Sequence, residues 1–144
     1  SHIINRGAQD LSLAASRALN LTVAQAEERK RKVGLMQSPQ ADMAPLVQSL
    51  ELTLVPLISE ISRTITSYEQ RTNETLTALV LTGGGATIKG LLQFAQPKLQ
   101  TELRLSDPFG KTAAPAFLEK ILKEAGPEFS VAVGLALRRL QEVG

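Results

Sequence analysis

The sequence contains no cysteine and no tryptophan. Without cysteine there can be no disulfide, no thiolate nucleophile and no thiolate metal site, and the absence fits a reducing compartment. Aromatic residues make up only 3% of the chain, too few for a platform on which single-stranded bases would stack. The single histidine, His2, sits next to Ser1 at the N-terminus and reads as the remnant of an expression tag. A surplus of one charge is lacking too. The 16 basic and 14 acidic residues leave a net charge of +2, which gives no electrostatic footprint for a nucleic acid. No uninterrupted apolar run approaches the roughly 18 to 20 residues that a membrane span needs. Residues 1–20 do not show the basic start and apolar block of a signal peptide. These absences predict a soluble, cytoplasmic protein without a direct membrane span.

What is present suits one compact domain of 144 residues, with 43% apolar and 21% charged residues. Ile3-Ile4 before Asn5-Arg6-Gly7 looks like the tail of a strand reaching a turn. From Gln9 to Leu19 apolar residues recur at helical spacing, and Asp10 is placed to favour the helix N-terminus. Thr22 and Gln25 form a capping-box pattern that opens a second helix, which Gly34 ends. Residues 35–42 read as a polar linker. A long helical region follows from about Met43 to Arg71, with a stripe from Leu46 to Ile65 at steps of three and four. Pro56 within it predicts two helices or one bent helix.

The period then changes. Leu76 to Leu81 is an almost continuous apolar run emptying into Gly83-Gly84-Gly85, the pattern of a buried parallel strand followed by a tight turn. A helix is predicted from Ile88 to about Gln96, ended or bent by Pro97, and a short strand at Leu103 to Leu105. Two further helices are predicted, Pro115 to Ala125 and Glu128 to Gln141, separated by Gly126-Pro127. The order is that of an α/β fold with few strands.

The glycine turn carries the strongest chemical hint. Loops after parallel strands are where open α/β sheets bind ligands, and glycine lets a flat ligand face or a phosphate approach the main chain. The spacing is not that of a Walker loop, since no Lys-Ser/Thr pair follows, nor that of a Rossmann fingerprint. Taken by itself, the triplet fits a plain strand–helix turn equally well.

The surrounding residues add to this. Leu79 to Ala86, followed by Ile88 and Gly90, resembles the adenosine motif of the actin-like ATPase superfamily. Asn5 to Ser12, Leu19 to Lys30, Ile61 to Glu69, Ser106 to Phe109 and Phe129 to Arg138 resemble, in the same order, stretches of the PilM family of type IV pilus assembly proteins. The cell-division protein FtsA is the neighbouring alternative. The resemblance implies an α/β fold, part of an actin-like (ribonuclease H-like) lobe with a small, mainly parallel sheet. Within the single domain, about 20–74 would form a helix-rich inserted subdomain, and 1–19 plus 75–144 the sheet-bearing one. It also implies that Gly83, Gly84 and Gly85 lie against an adenosine and its α-phosphate, and that Glu27 and Lys30 reach ribose and adenine. Glu27 and Lys30 equally fit a solvated ion pair, being three apart on one helix face.

Relatives of this kind use Asp-x-Gly turns to hold phosphates. Asp10, Asp42 and Asp107 are the only aspartates here, and none is followed two positions later by glycine. The expectation is a C-terminal portion of the fold with no catalytic residue, no metal site and no hydrolysis. ATP or ADP would bind the longer relative, and weakly or not at all here. Further expectations are an inner-membrane partner of PilN type, a location at the inner face of the cytoplasmic membrane through that partner, and dimerisation or segment exchange at an open sheet edge. The competing reading is an α/β interaction module whose glycine turn binds nothing.

Overall fold

A computed structural model describes residues 3–4, 7–36, 43–110 and 112–143. His2, Asn5, Arg6 and most of the predicted linker lie outside the described residues. The chain divides into two compact units, one comprising Ser1–Leu79 and Ile88–Glu102, the other Val80–Thr87 and Leu103–Gly144.

The first unit is helical. Helix α1 (Ala8–Leu19) packs on α2 (Val23–Val33) and on α3 (Ala44–Thr72), which in turn meets α4 (Leu91–Leu99). Asp10 accepts a hydrogen bond from the Gly7 amide at 2.7 Å, so the acid that the sequence placed there completes the first turn of α1. Thr22 and Gln25 exchange the predicted capping-box bonds at the start of α2. Gly34 closes α2 with φ +62°, and a Cβ there would stand 2.4 Å from the Lys89 carbonyl oxygen. Glycine is therefore required at that position by both conformation and space. The core is a ladder of one α3 face, Leu46, Leu50, Leu54 and Ile58, with Leu11 and Ala15 of α1 and Leu91, Ala95 and Leu99 of α4. Among the described helices, α3 alone is long and apolar enough to cross a membrane by those two measures. Its apolar stripe is instead the buried face of this unit.

Helix α3 runs unbroken through Pro56. Proline deprives the carbonyl of Leu52 of its donor, but both residues lie on the exposed face, where water serves that carbonyl. The same holds in α4, which continues through Pro97 with Gln93 exposed. This helix begins at Leu91 rather than Ile88, because Gly90 takes φ +79° and acts as its N-cap.

The short strands β1 (Ala78–Leu81) and β2 (Glu102–Leu105) pair in a parallel two-stranded sheet. In register, the Ser106 amide donates to the Leu81 carbonyl at 2.9 Å. The strands lie where the sequence placed them, but β1 is not buried: Val80 is 58% exposed. Ile3 and Ile4 are not in a strand. In the second unit, the 3₁₀ turn Ala116–Leu118 leads into α5 (Glu119–Val143), one helix where two were predicted. Gly126 has no Cβ to clash with the following proline ring, and Lys123, four residues before Pro127, is exposed, so the helix tolerates Pro127.

Candidate functional site

The glycine turn is built from the end of β1 and the middle of α5. Gly83 takes φ +86°, a conformation that any other L-residue would adopt under strain. Its amide donates to the Pro127 carbonyl at 2.7 Å, and the Thr82 hydroxyl donates to the same oxygen at 3.2 Å. The chain then winds through the short 3₁₀ segment Gly84–Thr87, held by the Ala86 amide on the Gly83 carbonyl at 3.0 Å. Pro127 is buried and rigid, so it fixes the position of the turn without closing it. Gly84 is exposed, and Gly83 and Gly85 are half-buried. Their bare backbone can take a flat ligand face at contact distance. One side chain borders it: a Cβ on Gly84 would lie 3.8 Å from the Glu128 carboxylate.

Glu27 and Lys30 form a clasp between α1 and α2. Lys30 is only 3% exposed. Its ammonium donates to the Ser12 hydroxyl at 3.0 Å and to the Ala8 carbonyl at 3.5 Å, and it pairs with the Glu27 carboxylate. Ser12, itself buried, donates to that same carboxylate, whose other oxygen accepts from Arg31 at 3.1 Å. Burial pushes the Glu27 carboxyl up, but hydrogen bonds from Lys30, Ser12 and Arg31 outweigh it and hold it down at about 2. The three donors of Lys30 thus all point into the helix interface. The pair is an ion pair as its spacing suggested, but its lysine end is not solvated.

A cavity of about 250 Å³ lies in the second unit, lined by Asp107, Phe109, Thr112, Glu119 and Lys123 among others. The three glycines do not line it. Asp107 serves its turn, its carbonyl accepting from the Gly110 amide at 3.4 Å. Phe129 is half exposed and stands 6.3 Å from Phe109, a packing contact as expected from the sequence.

The predicted site residues therefore form two groups. Gly83, Gly84 and Gly85 share one turn in the second unit, and Glu27 and Lys30 share one clasp in the first. Sequence reasoning missed Ser12, Pro127 and Glu128. Ser12 was legible as the small residue beside Leu11 that would let α2 approach. Pro127 and Glu128 were masked by the reading of Gly126-Pro127 as a helix stop.

The profile of the family described as Type IV pilus assembly protein PilM matches residues 5–140. Among solved structures the chain is similar to a "PilM-PilN type IV pilus biogenesis complex", with 29% identity and a TM-score of 0.78. The match covers 95% of this chain and 38% of that one, so the chain spans well under half the length of that relative. No curated protein sequence matches it.

Proposed function

This chain belongs to the PilM family of type IV pilus assembly proteins, and from that premise we propose that it serves pilus assembly as a nucleotide-binding scaffold. The observation that carries the binding role is the glycine turn. Gly83 is pinned by Pro127 while the backbone of Gly84 stays open to solvent. That turn would hold the adenosine end of a nucleotide. The sequence offers no Asp-x-Gly turn to position a metal and an attacking water, so the assigned role is binding without hydrolysis.

Glu27 and Lys30 act in this reading through the fold, by fixing α2 on α1, and would meet a ligand only if the clasp opened. The partner is an integral-membrane pilus protein of PilN type, which would keep the scaffold at the cytoplasmic face of the membrane. Similarity to the PilM of a solved PilM–PilN complex supports this choice of partner.

Titration of the 144-residue chain with a fluorescent ATP analogue tests the binding role. Gly84→Val is the informative variant, because its Cβ meets only ordinary contact with Glu128 while its methyls cover the backbone face. Affinity should fall about tenfold or more, equivalent to about 1.4 kcal/mol. Equal binding by wild type and variant would remove the turn from the site.

A further inference from the structure

We infer that Glu128 sets the ligand class of the glycine turn, admitting a neutral nucleoside face that donates hydrogen bonds and turning phosphate away. This rests on the turn being a nucleoside site, as proposed above. The Cγ, Cδ and Oε1 atoms of Glu128 all stand 3.8 Å from where a Gly84 Cβ would be, so the carboxylate flanks the open backbone. Both residues are exposed. Among the described residues, no cation is hydrogen-bonded or ion-paired to this carboxylate.

Its helix neighbours do not neutralise it either. One turn away on α5 lie Glu124, Ala125, Val131 and Ala132, which supply a second negative charge and no positive one. A phosphate brought to Gly84 would meet an uncompensated like charge within a few ångströms. Sugar hydroxyls or an exocyclic amine would meet an acceptor that strengthens their hydrogen bonds. A nucleotide can therefore seat its nucleoside on this turn only with its phosphates directed away from α5.

Calorimetric titration of the full chain with adenosine and with AMP tests this, using wild type, Glu128→Gln and Glu128→Lys. Wild type should prefer adenosine. The glutamine variant should move the AMP-to-adenosine affinity ratio toward AMP by roughly three- to tenfold, and the lysine variant further. The shift should shrink at high salt, as screening of exposed charges requires. Unchanged melting temperatures would show that the fold is intact. If both ligands bind but the ratio stays constant across the variants, Glu128 has no such role while the nucleoside site stands. If neither ligand binds wild type or variant, the nucleoside site itself falls and Glu128's role with it.

Discussion

Removing the carboxylate of Glu27 while leaving Lys30 in place should weaken the α1–α2 interface more than removing the lysine. Lys30 is 3% exposed, and Glu27 supplies its countercharge. Glu27→Gln keeps the shape and one acceptor but leaves a buried ammonium uncompensated. Deleting one partner of a fully buried pair costs about 3–5 kcal/mol. The Glu27 side chain is 33% exposed, so water screens part of the loss, and about 1–3 kcal/mol is expected. Lys30→Met removes the charge that requires compensation and keeps most of the buried volume. Glu27 then retains Arg31 and water, and the loss should be about 0–1.5 kcal/mol.

Urea unfolding followed by circular dichroism, with amide exchange read in α1 and α2, measures both variants. A Lys30→Met loss as large as that of Glu27→Gln would refute the reasoning from charge burial. The clasp also has a pH signature. Glu27 sits at about 2 in the fold against an ordinary value of 4.5, and a carboxyl lowered on folding adds stability above its unfolded value. That contribution should be complete above pH 4.5 and lost as the pH falls toward 2. In Glu27→Gln this component of the acid-induced loss should vanish.

Three other substitutions probe the fold around the sites, each read by denaturant unfolding. Gly34→Ala places a Cβ 2.4 Å from the Lys89 carbonyl oxygen at φ +62° and should cost about 2–4 kcal/mol, with a near-neutral result arguing against that close approach. Leu50→Ala empties a position with 0% exposure and should cost about 2–5 kcal/mol. Thr22→Ala removes the hydroxyl that accepts from the Gln25 amide at 3.3 Å and should cost about 0.5–2 kcal/mol, with exchange in the first turn of α2 rising in step.

Elements governed by local rules were legible in the sequence. The capping box of Thr22 and Gln25, the end of α2 at Gly34, the α3 ladder and the strand running into Gly83 all lie where spacing and side-chain chemistry put them. Proline misled. Pro56, Pro97 and Pro127 each sit inside a helix, because the orphaned carbonyl four residues back belongs to an exposed residue and is met by water. Whether that carbonyl is exposed depends on tertiary packing, which local sequence does not encode. The spacing of Glu27 and Lys30 showed that they share a face, but not that Ser12 would draw the lysine into the α1 interface. Glu128 next to Gly84 joins residues 44 apart in sequence numbering, a contact that no local pattern announces.

Amide hydrogen exchange of the full chain, with and without saturating ATP, reaches the nucleotide site most directly. Slower exchange confined to residues 82–87 and to the α5 turn around Pro127 and Glu128 is the expected outcome. Unchanged exchange at 82–87, or protection only elsewhere in the chain, would contradict the assignment of the glycine turn as the place where this protein holds a nucleotide.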